Sequence, residues 1–232
     1  MSMPAVDVYG EFVVDPDELK VPESPQHRQI SELIAIFGGR LLGPDHRVYR
    51  DMNWYPLDEG TAIAPDVMVL PAGVLPVGAK SYQQAKVGGP APTVVFEVPS
   101  ATDGYGTLHL KLARYRSLNT VAYVVAADYG PPYVSRRDPD GTALDDWDGR
   151  PIPELADLVL SQRDNEIRAE TPDGLSATNV EDLLADLEAN TAASAQRAEM
   201  LAEKLRALGV EPPPEWGTRR KWTGSNALSI SI

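Results

Sequence analysis

One short segment constrains the fold more than any other, because it places an acidic residue inside an apolar strand. In "TVVFEVP", residues 93–99, successive side chains of a strand point to opposite faces, so Val95, Glu97 and Pro99 share one face. An unpaired carboxylate in a protein interior costs on the order of several kcal/mol. Glu97 must therefore meet a cation, meet hydrogen-bond donors, take up a proton, or lie at a strand end that faces a cleft.

A second acid has the same setting, since Asp66 opens the short apolar segment "APDVMVL". Two carboxylates on adjacent core strands repel each other unless something positive lies between them. A divalent cation that prefers oxygen ligands is the natural candidate. The alternative is that each acid caps a turn or pairs with an arginine.

After Glu97 the hydrophobic period changes from that of a strand to that of a helix. Leu108, Leu112 and Tyr115 recur at helical spacing and predict a helix over residues 106–118. Lys111 lies at the border of the buried stripe of this helix, where its stem can cover apolar surface while its ammonium group reaches a cleft. The alternative is a lysine at the rim that extends into solvent.

The remaining patterns predict a mixed α/β domain over residues 1–176. "SPQHRQISELIAIFGGRLLG" predicts a helix that is capped by Ser24, has Pro25 at its first position and ends at the Gly38–Gly39 pair. The segment between the second and third predicted strands, residues 72–92, is expected to be a flexible loop. Strands are predicted in "RVYRDMNWYP", "APDVMVL", "TVVFEV", "VAYVVAA" and "PYVSRRDPDG".

From Asn179 onward, an Ala/Glu/Leu-rich stretch predicts one long helix within residues 177–210. Positions that follow one another at alternating steps of three and four residues form a seam along this helix, and the residues at its centre are small or polar. Such a seam is typical either of a helix packed on its own domain or of a coiled coil that joins two copies of the chain. Residues 211–232 fit no pattern and are predicted to be a disordered tail. The seam consists of Leu184, Leu187, Thr191, Ser194, Ala198, Leu201, Leu205 and Leu208.

The composition limits the partners of this 232-residue chain, whose formal net charge is -13. Proteins that grip nucleic acid by charge alone are usually basic, so any such role here must rest on a local site or a bound cation. The chain has no cysteine, which excludes disulfides and thiolate metal sites and fits a cytoplasmic location. No apolar run approaches eighteen residues, so no membrane contact is expected.

Together, the "PD" that contains Asp66, the "EVPS" that begins at Glu97, and the K-x-x-x-Y spacing of Lys111 and Tyr115 resemble the Uma-two family of bacterial endonucleases. The resemblance covers all but about the last dozen residues and implies a restriction-endonuclease-like core, with a mixed central sheet flanked by helices. In this PD-(D/E)XK superfamily the lysine usually lies two residues after the second acid, where this chain has Pro99. In the Uma-two family it lies on the next helix, as Lys111 does. Ser100 and Tyr123 also fall in register.

The resemblance implies a metal-dependent endonuclease that acts on DNA. Asp66, Glu97 and the backbone carbonyl of Val98 would bind Mg²⁺ or Mn²⁺, and Lys111 would position the attacking water. Ser100 and Tyr115 would support this site. Two more candidates precede or open the first helix: Glu23, otherwise an acid that complements the helix dipole, and His27, otherwise a surface or core residue.

The chain departs from the family at four supporting positions. Thr107 replaces an aspartate, Asn119 a glycine, Ala122 a glutamate, and Ala127 an aspartate. These changes and the acidity favour an alternative, a nuclease-like scaffold that serves as a binding or dimerisation module. The intact Asp66, Glu97 and Lys111 favour the endonuclease, and a third hypothesis is hydrolysis of another phosphoester such as RNA.

Overall fold

Helices and short strands alternate through the computed structural model, which describes residues 24–57, 62–76, 78–99, 105–126, 132–208 and 210–212. The helices are α1 (Pro25–Leu42), α2 (Gln84–Val87), α3 (Tyr105–Ser117) and α4 (Val180–Ala207). The strands are β1 (His46–Arg50), β2 (Asn53–Tyr55), β3 (Val67–Pro71), β4 (Ser81–Gln83), β5 (Val94–Glu97), β6 (Val121–Ala126), β7 (Tyr133–Arg137), β8 (Asp145–Asp146), β9 (Pro151–Ile152), β10 (Leu158–Arg163), β11 (Glu166–Glu170) and β12 (Ser176–Ala177).

The central sheet has six strands in the order β1-β3-β5-β6-β7-β8. Strands β5 and β6 run parallel and are joined through α3, whereas the other neighbours are antiparallel. A second sheet has the order β12-β11-β10-β9, and β2 pairs with β4 in a short parallel ribbon. The mixed central sheet, its helices and the long C-terminal helix confirm the predicted α/β fold class.

Strand alternation divides the central sheet between two apolar layers. On one face, Met68, Val95 and Val124 pack with Leu112 and Tyr115 of α3 in a buried cluster. On the other face, helix α1 packs along β1 and β3. The first of these layers positions α3, and with it Lys111, over the end of β5.

Helix α1 begins as predicted but ends later. The Ser24 hydroxyl accepts a hydrogen bond from the His27 N–H at 3.0 Å, and Pro25 opens the helix. The prediction that Gly38–Gly39 ends it is wrong, because α1 continues to Leu42 and stops at Gly43, whose φ is 62°. Gly38 serves packing instead: a Cβ there would lie 3.2 Å from the side chain of Leu155.

Two other predicted segments differ from the structure. "RVYRDMNWYP" is not one strand, because Asp51 adopts a φ of 50° and separates β1 from β2. The predicted loop over residues 72–92 contains β4 and α2, since β4 pairs with β2 and buries Tyr82 beside Trp54. These are long-range pairings, and no local hydrophobic period signals them.

Two compact units, Met1–Val180 and Glu181–Ile232, divide the chain. In the second unit the predicted long helix is α4, and the proposed domain boundaries remain a prediction. The predicted extended lead-in, residues 1–22, lies outside the described residues, as does nearly all of the predicted tail. Among the described helices, none is both long and apolar enough to cross a membrane.

The two neighbouring glycines of α1 offer a matched test of packing. Gly38→Val should lower the free energy of unfolding by about 1–3 kcal/mol more than Gly39→Val, because overpacking adds to the same loss of helix propensity. A Cβ on Gly39 meets no atom within 4 Å. Urea unfolding of both variants measures the difference, and equal destabilisation would contradict the close contact with Leu155.

Candidate active site

Three carboxylates lie side by side at one end of the central sheet. Arg50 pairs with Val67 across β1 and β3, and Val67 pairs with Phe96 across β3 and β5. One position further along, the same registers place Asp51, Asp66 and Glu97 in a row. The Asp51 N–H donates to the Asp66 main-chain carbonyl at 3.2 Å, which extends the pairing to this row.

Glu97 is only 2% exposed, and side chains of α3 bind its carboxylate. Lys111 Nζ donates to Glu97 Oε2 at 2.7 Å and to the main-chain carbonyl of Ala64 at 3.2 Å. The Tyr115 hydroxyl donates to Glu97 Oε1. Tyr115 in turn stacks on Trp54, with ring centroids 6.2 Å apart. Both oxygens of Glu97 therefore have a donor, and the predicted proximity of Glu97 and Lys111 is present.

The pKa of Glu97 is raised to about 8, first by burial and then by the negative charge of Asp66. Lys111 and the Tyr115 hydroxyl act in the opposite direction but do not compensate fully. Burial likewise raises the pKa of Tyr115 well above its ordinary value, so the phenol remains a hydrogen-bond donor. In the absence of a metal ion the site therefore favours a protonated Glu97.

Asp66 is held on both of its oxygens. Its Oδ2 accepts a hydrogen bond from the Val98 N–H at 2.6 Å, which brings the main chain of Val98 beside it. Its Oδ1 lies 3.3 Å from Nε2 of His27, a side chain at the start of α1. His27, Asp51 and Asp66 each have a potential ligand atom within 4.8 Å of the others.

Sequence reasoning missed Asp51. The residue directly follows the apolar-polar pattern of β1, but its alignment with Asp66 depends on an antiparallel register that connects distant segments. Nor does the sequence show that Asp51 adopts a positive φ, because most residues with this conformation are glycines. To predict that Asp51 belongs to the site, one would need to know that β1 pairs with β3 and in which register.

The remaining predicted residues are distributed around this site. Thr107, Leu108 and Pro99 line a small recess together with Glu97 and Lys111. Asn119 has a φ of 58°, a left-handed conformation in which asparagine can replace the glycine of the family. Glu23, Ser100 and Ala127 lie outside the described residues.

Two residues of β6 serve packing rather than the site. Ala122 is buried in the apolar cluster beneath α3. Tyr123 points to the opposite face, where it stacks on Phe96 and donates to Glu154 Oε2 at 3.0 Å. The family register of Tyr123 therefore reflects the core of the sheet, at a distance from Lys111.

The donor set fits a divalent cation. Asp66 and Glu97 offer hard carboxylate oxygens, the ligands that Mg²⁺ and Mn²⁺ prefer. Burial, and then the charge of Asp66, raise the pKa of Glu97 and so favour its protonated form, whereas a cation beside the two acids would favour the ionised form that binds metal. A cation and a proton are thus two ways in which this buried pair of acids can be stabilised.

Two comparisons relate the chain to known proteins. The Uma2 family model, described as "Putative restriction endonuclease", matches residues 13–192. Among solved structures, the chain is similar to a "putative nuclease belonging to DUF820" from Anabaena variabilis ATCC 29413, with 16% identity and a TM-score of 0.46. That similarity covers 57% of this chain and 75% of the other. No curated protein matches the chain.

The raised pKa of Glu97 predicts a pH-dependent stability in the absence of metal. Between the ordinary value of 4.5 and about 8, the unfolded chain loses a proton that the folded protein keeps, so stability falls as the pH rises. The slope for one group is at most about 1.4 kcal/mol per pH unit. Urea unfolding in EDTA at pH 5, 6.5 and 8 should show a steeper loss for the wild type than for Glu97→Gln. Parallel curves would contradict the shift.

Proposed function

The chain belongs to the Uma2 family of restriction-endonuclease-like proteins, and we propose that it is an endonuclease that hydrolyses DNA phosphodiester bonds with a divalent metal ion. One observation carries the proposal. A buried Glu97 lies across from Asp66 and is bound by Lys111 at 2.7 Å, so the three residues of the motif form one group. Because the chain is acidic, contact with phosphate must rest on a local site or a bound cation, and this group offers both Lys111 and the carboxylates that could bind a cation.

Asp66, Glu97 and the carbonyl of Val98 are the proposed ligands of Mg²⁺ or Mn²⁺. When bound, such an ion polarises a phosphoryl oxygen and stabilises the charge that develops on the phosphorus oxygens. Tyr115 supports the site by orienting Glu97 through its hydroxyl, and Val98 orients Asp66 through its N–H. These two contacts fix the carboxylates of neighbouring strands relative to each other.

Lys111 is the proposed catalytic residue that positions the attacking water. Two acceptors, the carboxylate of Glu97 and the carbonyl of Ala64, hold its ammonium group at the recess. Its side chain is 28% exposed, so the group remains accessible to a substrate. A lysine held in this way can orient water and stabilise anionic oxygens.

Cleavage of supercoiled plasmid DNA in Mn²⁺ or Mg²⁺ tests this function. Lys111→Ala should reduce the rate by about 10²–10³-fold, the usual effect of losing one group that stabilises a transition state. Lys204→Ala, which removes an exposed lysine of α4, is the matched control and should cleave like the wild type. Equal cleavage by wild type and Lys111→Ala would contradict the assignment. Parallel assays with single-stranded DNA and with RNA show which nucleic acid the protein hydrolyses.

A second candidate function is self-association through α4. The exposed leucines of its seam include Leu184, Leu201 and Leu208, which are 53%, 48% and 77% exposed. Leu201 and Leu208 are one heptad apart, as in the contact stripe of a coiled coil. The partner proposed for this stripe is a second copy of the chain, and this association is compatible with the nuclease or with a scaffold.

Sedimentation of the full chain tests self-association. Leu201→Glu should shift a dimer toward monomer, because it places a charge in the seam. Met200→Glu is the matched control, since Met200 is 55% exposed but lies outside the seam. A wild type that sediments as a monomer at every concentration, or equal effects of the two changes, would contradict the proposal.

A further inference from the structure

Asp66 belongs to a second group of possible metal ligands, which does not include Glu97. Glu97 is bound by α3, but Asp66 Oδ1 faces Nε2 of His27 at 3.3 Å, and Asp51 completes a group within 4.8 Å. We propose that His27, Asp51 and Asp66 form a second cation site, which selects a transition ion such as Mn²⁺ or Zn²⁺ over Mg²⁺. Asp66 would be shared between this site and the one formed with Glu97.

Each of the three side chains is positioned by a separate element. His27 stands in the first turn of α1, which Ser24 caps, and its side chain is nine-tenths buried. Asp51 is fixed at the end of β1 by its N–H bond to the carbonyl of Asp66. The second oxygen of Asp66 is already bound by the Val98 N–H, which leaves Oδ1 directed at His27. The group is therefore assembled by the fold rather than by one flexible loop.

The spacing is close to that of coordination. Donor atoms bound to one ion at about 2.0–2.2 Å lie at most about 4.4 Å apart. A group that already lies within 4.8 Å needs only small side-chain adjustments to reach this distance. Asp51 has a side chain that is 39% exposed, so an ion can enter from solvent on that side. The guanidinium of Arg50 lies 3.7 Å from Asp51 Oδ2 and forms its closer ion pair, at 2.9 Å, with Glu32.

The imidazole nitrogen determines which ion is preferred. Mg²⁺ favours oxygen ligands and retains several waters, whereas imidazole suits first-row transition ions. A site with one nitrogen and two carboxylates should therefore bind Mn²⁺ more tightly than Mg²⁺, and Zn²⁺ more tightly still. The pair formed by Asp66 and Glu97 has no nitrogen donor, so the two sites should differ in selectivity. Any role in catalysis rests on the proposed function, but the affinity for metal does not.

Calorimetric titration of the full-length protein with MnCl₂, ZnCl₂ and MgCl₂ separates the two sites. Asp51→Asn removes a ligand of the second site alone, and asparagine accepts the left-handed backbone of this position. It should weaken binding of Mn²⁺ and Zn²⁺ at least tenfold and change Mg²⁺ binding little. Glu97→Gln should leave the Zn²⁺ affinity within about threefold. Asp186→Asn, at an exposed acid of α4, is the matched control.

Cobalt adds a readout of the nitrogen ligand. The visible absorption of the Co²⁺-loaded protein should change in His27→Gln and stay unchanged in Asp186→Asn. Zn²⁺ affinities of Asp51→Asn and Asp186→Asn that agree within twofold would overturn the second site. A wild type that binds Zn²⁺ as expected but never cuts DNA would instead overturn the proposed nuclease and leave this inference standing.

Discussion

The rest of the structure depends on one constraint, the alignment of Asp51, Asp66 and Glu97 across three neighbouring strands. Like charges repel strongly at this spacing when water is partly excluded. The side chains that face these carboxylates come from different elements: Lys111 from α3, the imidazole of His27 from α1, and Arg50, which also pairs with Glu32, from β1. The charges at this end of the sheet are thus linked to the packing of both helices, since displacing either helix would remove a partner from one of the carboxylates.

Apolar packing provides the force that keeps α3 in place. Leu112 and Tyr115 are buried against the sheet, and the ring of Tyr115 stacks on Trp54 of the small β2–β4 ribbon. The same tyrosine uses its hydroxyl to bind Glu97. One residue therefore joins the core to the site. Burial of its ring contributes about 1.5–3 kcal/mol, which offsets part of the cost of holding a carboxylate in the interior.

The sequence predicted those features that depend on short-range periodicity. The Ser24 cap of α1, the face alternation around Glu97, and the helical spacing that brings Lys111 near it are local, and the structure has each of them. Three features were not predicted: the extension of α1 past Gly38, the β2–β4 ribbon and the position of Asp51. They result from contacts between distant segments, and a single sequence contains no register information for such pairs.

Two of the departures from the family change the number of carboxylates around Glu97. Thr107 lines the recess beside Lys111, and Ala122 is buried beneath α3, so both changes remove a carboxylate from the surroundings of Glu97. Asp51 lies on the His27 side of Asp66, with potential ligand atoms of the three residues within 4.8 Å of one another. Near α3 the row therefore has fewer carboxylates than the resemblance implies, while Asp51 and Asp66 lie together beside His27. A cation drawn to that charge would lie nearer to α1 than the motif of Asp66, Glu97 and Lys111 alone would indicate.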